Sequence, residues 1–345
     1  MTSLVSETHS RAHDYMEYQT KLGHFSGSIL IAKQGEVILN KGYGMANLEH
    51  AVPNTPQTKF RLGSTSKPFT AIAILLLQEQ GLLSIHDPID HFLPDYPNGH
   101  KITIHHILTH TSGIPNFTQL PDYAEFKGIQ SRPENTVNRF KNLPLEYEPG
   151  DQFKYSNSGY VLLAHIVEYI SKETFDVFLQ KHIFTPLNML NSGCDNHKTI
   201  LKNRASGYEI DNHKVVNCEF IDMSIPTGGG SLYSTVEDLY LFDRGLYTDK
   251  IINIASVDLM HNPYVTSYQY SASYGYGWFI ADDKFGDTNK RRIGHGGGIY
   301  GFKSEFNRYV DENVVVIVLS NLSITPKEKI ASDLAEIVFT ETNHI

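Results

Sequence analysis

The sequence has few cysteines and no long run of charge of one sign. Over its 345 residues the formal net charge is -9, and the isoelectric point is near 6.0. Without a run of Lys or Arg, nucleic acids and anionic membranes are disfavoured as main partners. Cys194 and Cys218 form no C-x-x-C pair, so they are either two free thiols or one disulfide, and the redox compartment stays open. We therefore predict a small-molecule or peptide substrate and no nucleic-acid partner.

The sequence also lacks an apolar stretch long enough to span a membrane. Its longest, at residues 71–77, is far shorter than the ~20 residues that a transmembrane helix needs. Residues 1–25 contain several charged side chains and no continuous apolar segment, so they do not resemble a secretory signal. We expect a cytoplasmic protein, or a secreted one whose leader has been trimmed away.

Sheet-forming patterns occur at both ends of the chain, and a helical region punctuated by prolines lies between them. The β-rich runs fall within 27–47 and 275–321, and helical patterns lie outside them at 10–22 and 326–340. This order predicts an α/β plus α fold, in which an antiparallel sheet from N- and C-terminal segments is flanked by helices and carries an inserted, mainly helical region. We place the sheet region at 1–83 and 261–345 and the helical region at 84–260, together one domain.

The most informative local motif is Ser64-x-x-Lys67, which stands just ahead of the apolar run at 71–77. A serine at a helix start has an unpartnered backbone N–H in the positive end of the helix dipole, where a developing oxyanion is stabilised. Lys67 lies one turn on, so its amine can take the serine proton if burial lowers the lysine pKa. Pro68 predicts an irregular first turn that begins no earlier than Ser64. Alone, the pair is more typical of a solvated serine and lysine.

A second motif, Tyr155-x-Asn157, follows a turn and precedes another apolar helix. A phenol beside a lysine ammonium ionises more easily, so Tyr155 is a candidate general base for Ser64 and a later proton donor to the leaving group. Asn157 can hydrogen-bond both Lys67 and a substrate amide. Alone, the motif is more typical of a half-buried aromatic residue whose hydroxyl is satisfied.

The third motif is His295-Gly296-Gly297-Gly298, just before a strand-like stretch. Glycines in a strand indicate close backbone approach, here of a substrate that pairs with the sheet edge. We expect the Gly298 N–H to complete an oxyanion hole with that of Ser64. The alternative is a flexible turn with an exposed histidine.

The three motifs in this order resemble the serine β-lactamase and penicillin-binding protein superfamily. The resemblance is to its class C branch, and especially to the penicillin-binding-protein-like hydrolases that carry histidine in the third motif. It extends over roughly residues 10–340 and includes the shorter matches Phe60-Arg61-Leu62-Gly63-Ser64, Asp87-Pro88-Ile89, 108–115, Glu148-Pro149-Gly150, 228–235 and 294–298.

The resemblance implies a β-lactamase/DD-peptidase-like fold and a serine hydrolase that works through an acyl-enzyme without metal or cofactor. It assigns catalysis to Ser64, Lys67 and Tyr155, and substrate binding to Asn157, His295, Gly296, Gly297 and Gly298. The substrates it implies are esters, amides or D-amino-acid peptides, and also β-lactams.

One departure from the family pattern bears on the substrate. Many relatives carry Lys-Thr-Gly in the third motif, whereas His295-Gly296 offers an imidazole with a pKa near ~6.5 and no hydroxyl. We therefore predict weak β-lactam turnover and a carboxylate attraction that fades as the imidazole loses its proton. Arg291, Arg292 or Arg308 can instead supply a permanent charge.

Four other interpretations are less favoured. His105, His106 and His110 have metal-ligand spacing, but no third ligand set is evident and the stretch matches a structural element of the family. An α/β-hydrolase is disfavoured because no G-x-S-x-G elbow exists, and a non-catalytic sensor or scaffold would not need all three motif residues. Tyr96-Pro97-Asn98 fits the second motif, yet its proline favours a turn.

Overall fold

The helices and strands are those of the computed structural model, which describes residues 3–340. The strands are β1 (Gly27–Lys33), β2 (Glu36–Tyr43), β3 (Met45–Asn47), β4 (Val52–Pro53), β5 (Phe60–Arg61), β6 (Gly193–Cys194), β7 (Tyr208–Asp211), β8 (Lys214–Asn217), β9 (Leu232–Ser234), β10 (Val265–Ser267), β11 (Ala272–Tyr274), β12 (Phe279–Phe285), β13 (Thr288–Ile299), β14 (Phe302–Tyr309) and β15 (Val314–Ser320). The α-helices are α1 (Ser3–Lys21), α2 (Lys67–Glu79), α3 (Ile104–Leu108), α4 (Tyr123–Phe126), α5 (Pro133–Val137), α6 (Asn157–Ser171), α7 (Phe175–Leu179), α8 (Val236–Gly245), α9 (Ile254–Met260) and α10 (Lys327–Phe339).

The central feature is an eight-stranded antiparallel sheet in the order β10-β11-β12-β13-β14-β15-β1-β2. β1 and β2 come from the N-terminal part of the chain, and the other strands follow residue 264. β1 joins the two parts by pairing with β15, from Gly27 opposite Ser320 to Lys33 opposite Val314. The predicted sheet of N- and C-terminal segments is confirmed, while the exact limits of its two regions stay a prediction.

Alternate residues of the central strands enter two separate cores, because successive strand side chains point to opposite faces. On one face, α1 and α10 cover Ile31 and Val316. On the other, α8 packs on β1 and β15, and Leu30 and Ile317 join the larger core that contains α2. β15 is buried along its whole length, as expected for a strand that is covered on both faces.

The predicted terminal helices are present as α1 and α10, although α1 begins earlier than the pattern at 10–22 indicated. Gly23, with a φ of +72°, follows α1 and ends it in the left-handed conformation that glycine adopts readily. No helix within residues 3–340 has both the length and the apolar character needed to cross a bilayer.

Helix α2 brings the first motif to the junction of the sheet and the helical region. It is buried from Lys67 through residue 77, as is typical of a helix surrounded by protein on all sides. The irregular first turn predicted from Pro68 is a 3-10 turn at Gly63–Ser66. Helix α6 packs beside α2 and begins at Asn157, so two of the three motifs stand at helix starts.

Candidate active site

The turn that carries Ser64 is fixed against strand β13. Gly63 has a φ of +53°, and a Cβ there would lie 2.9 Å from the backbone nitrogen of Gly298, so only glycine fits. The Thr65 hydroxyl donates to the His295 carbonyl at 3.0 Å, and the Ser304 hydroxyl donates to the Leu62 carbonyl at 2.6 Å. The nucleophile candidate therefore sits on a rigid turn while its own side chain stays partly exposed.

Lys67 is completely buried and lies at the centre of the site. Its Nζ donates to Asn157 Oδ1 at 2.9 Å and to the Gly229 carbonyl at 2.8 Å, and it lies 3.1 Å from Ser64 Oγ. Burial lowers the pKa of Lys67 well below its usual value, because the interior disfavours the ammonium form. In its neutral form the amine can accept a proton from Ser64, a role that stays a prediction. The predicted hydrogen bond between Asn157 and Lys67 is present.

Tyr155 is the third residue of the predicted catalytic group and lies near Ser64 and Lys67. Tyr155 and Ser64 line one cavity, and the centroid of the Tyr155 ring lies 4.8 Å from Lys67 Nζ. The ring reaches the cavity but packs among aromatic residues, with His110 at 4.3 Å between centroids. Burial raises the pKa of Tyr155 well above its usual value. The expectation that a neighbouring ammonium eases ionisation of this phenol is wrong, because desolvation dominates and Lys67 itself tends to be neutral.

His295 is the second residue whose charge the sequence misjudged. It is 1% exposed, with Nδ1 2.7 Å from the Gly296 carbonyl and Nε2 3.2 Å from the Tyr274 hydroxyl. Burial, and then the proximity of Lys67, holds the pKa of His295 well below its usual 6.5. The expected imidazolium that titrates near 6.5 and meets a carboxylate is therefore not what the structure provides; His295 is a neutral group in the wall.

The histidines of the alternative metal site have separate partners. His110 is buried, and its Nε2 lies 3.3 Å from the Tyr274 hydroxyl. His105 Nδ1 lies 2.7 Å from the Tyr276 hydroxyl, and His106 belongs to the capping box at the start of α3. Within residues 3–340 no three His, Cys, Asp or Glu side chains are grouped so that they could hold a metal ion. Cys194 and Cys218 are both free thiols.

Two cavities open beside Ser64 and the Gly298 backbone. The larger, about 420 Å³, is lined by Phe117, Tyr123 and Tyr300 together with Asn157. The smaller, about 210 Å³, is lined by Tyr155 and the whole third motif. Ser64, Gly298 and Lys303 border both cavities. A substrate bound at Ser64 can therefore extend into both cavities.

Strand β13 has a free edge where the third motif begins. Its pairing with β12 ends at Gly294, so His295–Ile299 bonds to β14 alone within the sheet. A Cβ at Gly297 would lie 2.0 Å from the Leu62 carbonyl oxygen and 3.0 Å from the Ser64 nitrogen, which requires glycine for the close approach of strand and turn. This approach brings the backbones of Ser64 and Gly298 to the same opening, as an oxyanion hole requires.

The three arginines considered for a permanent charge lie elsewhere. Arg291 donates to the His261 carbonyl, Arg292 pairs with Asp283, and Arg308 is buried against Asp243. The cations that line the smaller cavity are instead Lys303 and Lys327. Sequence reasoning missed both, and it also missed the Gly229 carbonyl that accepts from Lys67. The Tyr96 alternative to the second motif is excluded, since Tyr96 is buried beside a different cavity.

Comparisons with known proteins agree with this geometry. Residues 13–338 match the family model described as Beta-lactamase. Penicillin-binding protein 4* of Bacillus subtilis (strain 168) is 31% identical over 313 residues, covering 86% of this chain and 68% of that protein. The octameric penicillin-binding protein homologue from Pyrococcus abyssi is 30% identical with a TM-score of 0.85, covering 96% of this chain and 77% of that one. D-amino acid amidase from Ochrobactrum anthropi SV3, at 22% identity, shares the fold with a TM-score of 0.84 over 96% of this chain and 98% of that one.

Proposed function

The chain belongs to the β-lactamase family, and from this premise we propose that it is a serine hydrolase that forms an acyl-enzyme on Ser64 with esters, amides or D-amino-acid peptides. The observation that carries the proposal is the buried amine of Lys67, 3.1 Å from Ser64 Oγ. Burial favours the neutral amine of Lys67, which can act as a base, and the adjacent hydroxyl is the group that it can activate.

In the acylation step, neutral Lys67 takes the proton from Ser64 Oγ as that oxygen bonds to the substrate carbonyl carbon. The carbonyl electron pair moves to its oxygen, which the backbone N–H groups of Ser64 and Gly298 stabilise. Asn157 Oδ1 holds the lysine amine in place by accepting its hydrogen bond at 2.9 Å. The side-chain nitrogen of Asn157 donates to Thr118, which lines the larger cavity together with Asn157.

The leaving group departs with a proton from Tyr155. The raised pKa keeps this phenol protonated, so it acts as the donor while the Lys67 ammonium returns a proton to it. The bond between the carbonyl carbon and the leaving atom breaks, and the acyl group remains on Ser64. Water then attacks the ester and frees the serine, with the same groups transferring protons in reverse.

The substrate proposed is a small molecule or short peptide. The two cavities border Ser64 and together can accept an acyl group and a leaving group. The structural neighbour D-amino acid amidase was solved with D-phenylalanine, which supports amides of D-amino acids as first substrates to test. We propose that β-lactams acylate Ser64 but are released slowly, since Gly296 provides no hydroxyl.

The test is intact-mass spectrometry after exposure to a fluorophosphonate, to penicillin and to D-phenylalanine amide. We expect one adduct on the protein and none on Ser64→Ala. Ser323→Ala is the matched control, because Ser323 is also partly exposed and lines the larger cavity. Labelling that persists in Ser64→Ala, for example at Ser66 or Ser112, contradicts the assignment.

A second candidate function is a sensor that is acylated and releases nothing. Burst kinetics with a chromogenic ester separate the two. A stoichiometric burst without turnover supports the sensor, whereas continued release after the burst supports the hydrolase.

A further inference from the structure

On one face of strand β13 the site has only glycines, Gly296 and Gly298, and two lysine side chains occupy the space that larger residues would fill. Gly296 lies opposite Glu305 and Gly298 opposite Lys303 in the pairing of β13 with β14, so these four residues share a face. A Cβ at Gly296 would lie 2.0 Å from Lys327 Nζ and 2.4 Å from Glu305 Oε2. At Gly298 the nearest atom to such a Cβ is Lys303 Nζ, at 3.3 Å. Both ammonium groups therefore lie directly over the glycines of the third motif.

The two lysines differ in how their charge is compensated. Lys327 is 8% exposed and pairs with Glu305 at 2.6 Å and with Glu328 at 2.9 Å. Lys303 is partly exposed, and within residues 3–340 it has no hydrogen bond and no ion pair, although it helps to lower the pKa of the exposed Glu328. Lys303 is thus the cation at the site that is free to take an anionic partner.

The position of Lys303 is that of a substrate contact. Its side chain borders both cavities, as do Ser64 and Gly298, so its ammonium lies beside the backbone that we assign to the oxyanion hole. A substrate carboxylate attached a few atoms from the scissile carbonyl would fall within reach of this ammonium. His295 does not compete for that role, because it is neutral and bonded to Tyr274.

We propose that Lys303 binds a carboxylate of the substrate, whereas Lys327 is held behind Gly296 by Glu305 and Glu328, which compensate its charge. The proposal rests on the serine hydrolase function above and narrows it to acyl donors that carry a carboxylate near the scissile bond, such as peptides with a free C-terminus. A charge-assisted contact of this kind is stronger than a neutral hydrogen bond, and it is lost when the carboxylate is converted to an amide.

The test compares N-acetyl-D-alanyl-D-alanine with its C-terminal amide, following release of D-alanine or D-alaninamide by mass spectrometry. For Lys303→Met we expect kcat/KM to fall ~10- to 100-fold for the acid and to stay within about twofold for the amide, as loss of a hydrogen bond to a charged group predicts. Lys303→Glu should lower it further, and Lys303→Arg should retain most of the preference. Lys290→Met is the matched control, since Lys290 lies on β13 but pairs with Glu312 away from the cavities.

A binding measurement tests the role of Lys303 independently of acyl-enzyme formation on Ser64. In the Ser64→Ala background, calorimetry with the acid should show weaker affinity when Lys303→Met is added, whether or not the native protein forms an acyl-enzyme. Three results would each overturn the proposal that Lys303 binds the substrate carboxylate. These are equal affinity for the acid with and without Lys303, no saturable binding of the acid, and an equal loss of kcat/KM for acid and amide. Failure of Ser64 labelling with the Lys303 effect intact would overturn the serine mechanism alone.

Discussion

Adding one methyl group at Gly297 should disable the site, whereas the same change at Gly298 should be tolerated. The two residues are neighbours on β13, but their missing side chains point to opposite faces of the strand. A Cβ at 297 would meet the Leu62 carbonyl oxygen at 2.0 Å, Ser304 Oγ at 2.4 Å and the Ser64 nitrogen at 3.0 Å. Since real Cβ atoms essentially never come closer than 3.0 Å, the turn that carries Ser64 must move away from the strand.

The size of the effect follows from that displacement. A shift of about 1 Å in a catalytic group is enough to cost ~10²-fold, and loss of one oxyanion-hole donor costs ~10²- to 10³-fold in kcat. We therefore expect Gly297→Ala to lower kcat/KM for a neutral nitrophenyl ester by ~10²- to 10³-fold, which is about 3 to 4 kcal/mol of transition-state stabilisation. At 298 the nearest atom is the flexible end of Lys303 at 3.3 Å, so Gly298→Ala should stay within about threefold.

The assay is steady-state hydrolysis of the ester by both variants, with thermal unfolding monitored by circular dichroism as the check on folding. Overpacking at 297 should also lower stability, by about 1 to 3 kcal/mol, which a domain of this size survives. If Gly297→Ala kept activity within about threefold of the native protein, or if Gly298→Ala lost as much as its neighbour, the close approach of strand and turn would not be what builds the site.

Three further outcomes follow from the same contacts. Lys67→Ala and Tyr155→Phe should be non-additive in kcat/KM, because the two groups pass one proton between them, and defects that multiply in the double variant would refute the coupled unit. The ratio of kcat/KM for the acid to that for the amide should stay constant from about pH 6 to about pH 8.5, because His295 is held neutral and has no charge to lose across that range. A preference that fades across that range would restore His295 as the anchor. Asp243→Leu should lower the free energy of unfolding by about 3 to 5 kcal/mol in urea denaturation, because it leaves the 1% exposed Arg308 without its carboxylate; a loss below about 1 kcal/mol would contradict this.

The parts of the site that the sequence predicted are those fixed by local chemistry. Pro68 determines where the irregular turn ends and α2 begins, and that alone places Ser64 at the helix start one turn before Lys67. The alternation of sheet-forming and helical patterns likewise determined the antiparallel sheet, because strands from both ends of the chain need each other to bury their faces. The first inference holds because it depends on residues within a few positions of one another, and the second because it needs only the order of the strand and helix patterns along the chain.

The errors concern quantities that depend on burial and on distant residues. The protonation states of Tyr155 and His295 are set by desolvation, and no local pattern reports how many aromatic rings surround them. Lys303 was missed because its neighbour in space, Gly298, is reached through the register of β13 with β14. Lys327 was missed because it lies at the start of α10, far along the chain from the third motif, and only the fold brings it next to Gly296. The one available signal was the run of glycines, which leaves space that some other side chain must fill.

That space explains why the third motif has glycine where many relatives have threonine. The Cβ of any larger residue at 296 would lie 2.0 Å from Lys327 Nζ, so a side chain at 296 and the pair of Lys327 with Glu305 exclude each other in this geometry. Glu305 is 4% exposed and would be left without its cation if Lys327 were displaced, at a cost typical of a broken buried ion pair. Gly296 and Lys327 therefore form one structural unit. The positive charge that we assign to substrate binding comes from Lys303 on β14, while position 295, which carries the charge in Lys-Thr-Gly relatives, holds a neutral histidine.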